Sequence, residues 1–166
     1  MTNPTEISAR YDLTDGIFNA IAHRYDRTNS ILSFGFNALW HRILIGEVRK
    51  VPHGSVLDLA CGTGTLTKKM ASLPGTRVTG VDPSANMLSV AQKRLGITEN
   101  ISLIKGYAES LPFSEESFAV VTVSYGIRNF ADMEASLLEI KRVLQPGGRL
   151  FILEFSPEKG DSPGNV

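Results

Sequence analysis

Apolar positions along the chain follow two different periods. In FNALWHRILIGEV, residues 36–48, Phe36, Leu39, Trp40, Ile43, Leu44 and Val48 recur at spacings of three and four, one apolar face of a helix. The first fifty residues read as helical. From Ser55 the pattern changes to short runs that are apolar almost throughout, alternating with helical stretches. SVLDLA (55–60), TRVTGVD (76–82), ISLIKG (101–106), FAVVTVSY (118–125) and RLFILEF (149–155) read as strands. Thr65–Ser72, Ala85–Leu95 and Met133–Leu144 read as helices, and QPGGR (145–149) as the turn into the last strand. Apolar strands separated by helices indicate a mostly parallel sheet covered on both faces, a doubly wound α/β fold. A single domain is expected: a helical N-terminal cap and substrate segment over 1–52, a core over 53–156, and a disordered tail over 157–166.

Composition narrows the class of function. The 166 residues suffice for one domain with a real core, and 42% are hydrophobic. Lys+Arg and Asp+Glu both number 17, which removes the basic footprint that non-specific nucleic-acid binding needs, so no nucleic acid is expected as partner. The one cysteine, Cys61, excludes an internal disulfide framework and suits a reducing compartment. No run approaches a membrane span, and MTNPTEISARYD lacks an apolar signal core, so a cytoplasmic protein is expected.

The stretch VTVSYGIRNF, residues 121–130, turns abruptly polar. An apolar strand ends at Tyr125 and Gly126, and Arg128 and Asn129 follow. A guanidinium and an amide at the mouth of a core strand suit a site; the plain alternative is a surface arginine opening the next helix.

VLDLACGTGTLT supplies a candidate for what lies beside them. Gly62 and Gly64 fall directly after the first strand and before a helix, where glycine lets a ligand approach the backbone; a plain tight turn would look the same. Asp82 closes the second strand, twenty positions after Gly62, where a carboxylate accepts ribose hydroxyls. The competing role for Asp82 is a helix cap in DPSANML. A dinucleotide fingerprint wants a third glycine at position 67, which is Thr67, and would set a pyrophosphate close to Asp58. A carboxylate there suits a cationic ligand instead, which favours a methyl donor carrying a sulfonium and an ammonium over NAD.

LDLACGTG, GVDPSANML, AESLPF and RVLQPGGRL together resemble the class I S-adenosylmethionine-dependent methyltransferases from Ser55 onward. The resemblance implies S-adenosyl-L-methionine as cofactor, with Gly62 and Gly64 under its methionine moiety, Asp82 on the ribose, and Ala108 and Glu109 at the adenine. Asp58, Ala60, Thr63 and Ser124 complete the implied cofactor set. Where the family often has Asp or Asn before that alanine, this chain has Tyr107; either the adenine amino group lacks a side-chain partner or Tyr107 stacks on the ring. Cys61 is expected only to pack beside the cofactor.

YDRTNSILSFGFNALWHR, YGIRNF and RVLQPGGRLFILEFS resemble, more narrowly, the ubiquinone/menaquinone biosynthesis C-methyltransferase family, whose relatives methylate a ring carbon of a reduced, prenylated quinone precursor. An aromatic carbon is a poor nucleophile until a neighbouring hydroxyl ionises. Arg128, always protonated, is expected to favour the phenolate, with Asn129 orienting the hydroxyl or a relay water. The proton acceptor stays open among water, His23, His41 and Asp26. Tyr25, Asn29, Phe34, Phe36 and Trp40 are expected to roof the site and receive the isoprenoid tail, and the amphipathic helix suits peripheral contact with the inner membrane surface. The family normally continues past FILEFS with a helix and an antiparallel strand pair. The sequence given lacks that part, so an open sheet edge, with dimerisation as one outcome, is expected at the last strand. Methylation of another small molecule and non-catalytic S-adenosylmethionine binding are the rival readings.

Overall fold

A computed structural model describes Tyr11, residues 36–52 and residues 54–154. Helix α1 (Phe36–Val48) precedes strand β1 (Ser55–Leu59), helix α2 (Thr65–Ala71), strand β2 (Arg77–Asp82), helix α3 (Ala85–Leu95) and strand β3 (Ile101–Lys105). Strand β4 (Phe118–Ser124), a 3₁₀ turn (Ile127–Asn129), helix α4 (Met133–Val143) and strand β5 (Leu144–Leu153) complete the described chain. The five strands form one sheet, ordered β3-β2-β1-β4-β5, and every pairing is parallel. The doubly wound α/β expectation therefore holds.

Valine-rich strands explain the sheet. Val78, Val81, Val120, Val121 and Val123 are all buried, and β-branched residues crowd well on a pleated surface covered on both sides. Successive residues feed opposite faces: Leu57 and Val121 pack with Ile140 and Val143 of α4, while Val56 and Val120 pack with Leu44 and Val48 of α1 and Met70 of α2. Helix α3 starts where the Ser84 hydroxyl accepts the Met87 N–H and ends at Gly96. Helix α4 starts where Asp132 accepts the Ala135 N–H. Arg142 on α4 donates to the Phe113 and Leu111 carbonyls, which ties the long loop after β3 to the helix.

Two expectations need correction. The helix expected to reach Leu144 stops at Val143, and Leu144 already pairs with Phe118. Pairing resumes at Val120↔Arg149, so QPGG bulges out inside β5 opposite Ala119 alone rather than preceding the strand. Gly147, at φ 77°, lets the bulge turn back. The second correction concerns α1. Of its expected apolar face, Leu44 and Val48 enter the core, whereas Leu39, Trp40 and Ile43 are 44–50% exposed. At about 100° per residue, the stripe lined up with Leu44 and Val48 also carries Asn37 and His41. The helix is thus turned so that these two polar side chains face inward, where both line the cavity described below.

Strand β5 is the sheet edge, and Ile152 on it is 46% exposed. No described helix is long and apolar enough to cross a membrane. The rest of the helical reading over 1–35, the tail over 157–166, and the expectations placed on His23, Tyr25, Asp26, Asn29 and Phe34 lie outside the described residues.

Candidate active site

The chain order reverses between β1 and β4, because β1 leads to β2 on one side and has β4 on the other. Crevices in open α/β sheets form above the carboxyl ends of strands at such a point. Here a cavity of about 540 Å³ opens there, within the range of small-molecule sites. It is lined by the loops after β1, β2, β3 and β4 and roofed on one side by Asn37, Ala38 and His41 of α1.

The backbone is shaped to hold this cleft open. Ala60 and Tyr125, at the ends of the neighbouring strands β1 and β4, both adopt φ 57°, a left-handed conformation that costs a non-glycine residue roughly 1–2 kcal/mol. Between them Gly126 is packed so tightly that a Cβ there would lie 2.5 Å from the Ala60 Cβ. Gly62 at φ 54° carries the loop onward, and its N–H donates to Asp82 Oδ2 at 2.8 Å. Asp82 Oδ1 accepts the Ser84 N–H at 2.9 Å. The cap of α3 is therefore Ser84 rather than Asp82, which instead ties the glycine loop to the end of β2. Asp82 lines the cavity, so its carboxylate presents acceptor oxygens toward it.

Asp58 forms part of the cavity floor and is 1% exposed. The Thr67 hydroxyl donates to its Oδ2 at 2.6 Å and the Thr122 hydroxyl to its Oδ1 at 2.9 Å. Burial pushes this carboxyl up to about 6, against the pull of the two hydroxyls. A buried carboxylate held by neutral donors attracts a cationic group. Thr67, read from sequence only as a missing glycine, is thus a partner of the buried carboxyl on the cavity floor. Arg94 of α3 secures the loop from the other side: its Nη1 donates to the Thr63 carbonyl at 3.0 Å, to the Thr63 hydroxyl at 2.8 Å, and to the Thr65 hydroxyl. Cys61 lines the cavity, and burial pushes its thiol well up, which suits packing rather than nucleophilic chemistry.

Other expected site residues fall in different places. Ala60, Thr63, Ala108, Ser124 and Asn129 line the cavity, and Gly64 is buried in the loop with its would-be Cβ 3.1 Å from Ala91 of α3. Glu109 is buried beside the cavity rather than lining it; it accepts from the Ala131 N–H at 2.7 Å, the Asp132 N–H at 3.1 Å and the Tyr11 hydroxyl at 3.1 Å. Burial and the Glu109 carboxylate push the Tyr11 phenol well up. Tyr107 stacks on Tyr11 with ring centroids 4.9 Å apart, and it is Tyr11 that reaches the cavity wall. Arg128 is on the rim, its side chain 54% exposed and ion-paired to Glu154 at 2.9 Å. Trp40 faces outward from α1.

His41 does reach the cavity, where its Nε2 lies 3.2 Å from Ser124 Oγ.

Comparison with known proteins places this cavity in a family. The model of the ubiE/COQ5 methyltransferase family matches residues 6–161. The chain belongs to the ubiE/COQ5 methyltransferase family. It is 39% identical over 161 residues to the ubiquinone/menaquinone biosynthesis C-methyltransferase UbiE of Shewanella piezotolerans, covering 94% of this chain and 64% of that protein. It is 40% identical over 156 residues to UbiE of Shewanella baltica, covering 91% and 62%. The chain thus spans somewhat under two thirds of the length of these relatives. Among solved structures, a putative methyltransferase in complex with the Haloferax volcanii Trm112 activator superposes with a TM-score of 0.66 at 26% identity, over 81% of this chain and 58% of that one.

Membership in the ubiE/COQ5 family implies S-adenosyl-L-methionine as cofactor, and the donor set fits it. Asp82 offers a carboxylate, the acceptor type that suits ribose hydroxyls, Asp58 offers negative charge to an ammonium, and the loop from Ala60 to Gly64 presents backbone where side chains would intrude. Arg94→Met is expected to weaken S-adenosylhomocysteine binding about tenfold, the loss of roughly 1.4 kcal/mol of charge-assisted bonding to the loop. Calorimetric titration checks this, and unchanged affinity would show that the loop holds its shape without Arg94.

Proposed function

We propose that the chain transfers a methyl group from S-adenosyl-L-methionine to a ring carbon of a reduced, prenylated quinone precursor, demethylmenaquinol or 2-methoxy-6-polyprenyl-1,4-benzoquinol. The observation that carries this reading is one cavity shared by the glycine loop with Asp82 and by the Ser124–Phe130 segment, in a chain about 39% identical to quinone C-methyltransferases. When bound, the cofactor supplies an electrophilic methyl group on a sulfonium. The chain's own residues supply placement and charge. Of the residues lining the cavity, Asp82 and Ala108 would hold the nucleoside end, Asp58 the ammonium end, and Asn129 the acceptor's hydroxyl. To reach that hydroxyl from its ion pair with Glu154, whose side chain is 18% exposed, Arg128 exchanges one oxygen partner for another. Its charge then favours the phenolate. The exposed Leu39, Trp40 and Ile43, on the same helix as the cavity-lining Asn37 and His41, offer an apolar patch to a membrane carrying the lipid acceptor.

The test is label transfer from methyl-labelled S-adenosylmethionine to chemically reduced demethylmenaquinone, read in the organic phase. Transfer supports the reading; cofactor binding without transfer would favour a non-catalytic binding protein. Arg128→Ala is expected to lower turnover about 100-fold while leaving S-adenosylhomocysteine affinity within twofold. Equal losses in both would remove Arg128 from the acceptor side.

A further inference from the structure

Three residues from three elements meet at the acceptor end of the cavity. Ser124 closes β4, His41 projects from α1, and Lys69 from α2, and all three line the cavity. His41 Nε2 lies 3.2 Å from Ser124 Oγ, and His41 Nδ1 lies 3.5 Å from Lys69 Nζ. The His41 ring also packs against Tyr125, with centroids 6.2 Å apart. An ammonium has donors only, so Nδ1 takes the accepting role and the ring's proton sits on Nε2, donated to Ser124 Oγ. The Ser124 hydroxyl, already accepting from His41, then has its own proton to donate into the cavity.

We propose that Lys69, His41 and Ser124 form a hydrogen-bond donor chain that holds the ionised oxygen of the methyl acceptor. The assignment rests on the reading of the site as one for a phenolic acceptor. Replacing an aromatic C–H by C–CH₃ releases one proton per turnover, and the acceptor's hydroxyl must ionise before its ring carbon attacks. A donor chain anchored on a cation lowers the cost of that ionisation, and the released proton passes to water. Asp58 and Asp82 cannot substitute for it, since both are acceptors toward the cavity when ionised and are already engaged by Thr67, Thr122 and backbone N–H groups. Among the described residues, the titratable groups shown against His41 are Lys69 from α2 and Tyr125 from the end of β4; burial, then Glu154, raises the Tyr125 phenol and keeps it neutral. Ser124 touches the acceptor in this scheme, while His41 and Lys69 position it.

Two measurements test the chain. Nitrogen NMR of the imidazoles, with the His41 signals assigned by their loss in His41→Gln, reports the tautomer in the ligand-free protein. The Nε2–H form is expected, and the Nδ1–H form would overturn the proposal. Turnover of reduced demethylmenaquinone is the second. Ser124→Ala and His41→Leu are expected to lower kcat about 10- to 100-fold and to move its rising limb to higher pH, with S-adenosylhomocysteine affinity within twofold in His41→Leu. His41→Gln, whose amide N–H can reach the same hydroxyl, is expected to recover part of the loss. An unshifted pH limb, or no recovery by glutamine, would overturn the chain. If the unsubstituted protein transfers no methyl group at all, the acceptor reading itself fails, whatever the tautomer.

Discussion

Asp82→Ala is expected to lower S-adenosylhomocysteine affinity at least about 100-fold and to destabilise the fold by roughly 2–4 kcal/mol. The two effects share one cause. Asp82 is 7% exposed, and its two oxygens satisfy the Gly62 and Ser84 N–H groups. Alanine strands both donors, and each unmet buried donor costs about 1–3 kcal/mol. It also frees the glycine loop from β2 and removes the acceptors offered to a ribose. Asp82→Asn separates these contributions. Its single carbonyl oxygen can serve one of the two N–H groups but not both, so stability and affinity should both fall between those of the native and alanine proteins. Calorimetry and urea unfolding on the three proteins check the order. Native-like affinity in the alanine variant would remove Asp82 from the cofactor site.

The second large effect concerns Asp58 and is a stability difference that depends on pH. Burial raises this carboxyl to about 6 from an ordinary 3.8. Between those values the folded chain holds a proton that the unfolded chain has released, so Asp58 makes stability fall as pH rises through this window. Above it, the ionised carboxylate costs about 3 kcal/mol relative to acid pH. Asparagine at 58 cannot ionise, and the Thr67 and Thr122 hydroxyls can turn to accept from its amide as well as donate to its oxygen. The difference between the two proteins should therefore move in favour of Asp58→Asn by about 2 kcal/mol between pH 4.5 and pH 7.5. Comparing the two proteins cancels the titration of groups that do not interact with Asp58; Asp82 and Cys61 do. Cofactor binding should move the opposite way, weakening in the asparagine protein. A pH-independent difference in urea unfolding would show that Asp58 is not held neutral by burial.

How far the sequence disclosed this site depends on the range of each interaction. The strands were legible because Val78, Val81, Val120 and Val123 report burial through composition alone. The loop from Ala60 to Gly64 and Asp82 were legible because glycine spacing after a strand fixes where the backbone must lie open. The bulge at QPGG was not, since a Pro-Gly-Gly turn looks the same whether Leu144 pairs before it or not. Helix periodicity marked α1 but could not say which of two neighbouring stripes faces in, and the inward one carries Asn37 and His41. Asp58 meets Thr122 across 64 positions, and Glu109 meets Ala131 across 22; no local pattern announces such pairs. Glu109 was expected at the adenine by family resemblance, yet its carboxylate turns to the Tyr11 hydroxyl and to backbone donors that a sequence does not display. Arg128 was expected over the cofactor, and its rim position follows from Glu154, whose charge lies one strand away.

That placement of Glu109 joins the two ends of the cleft. One carboxylate fastens the loop after β3, the turn leading into α4 and Tyr11, three stretches far apart in the chain. The first of these borders the cavity through Ala108, the second through Asn129 and Phe130. A shift of either loop therefore strains the other through a buried, charge-assisted junction. Replacing Glu109 is therefore expected to loosen both loops together, since they share one acceptor. A single glutamate is the joint between them.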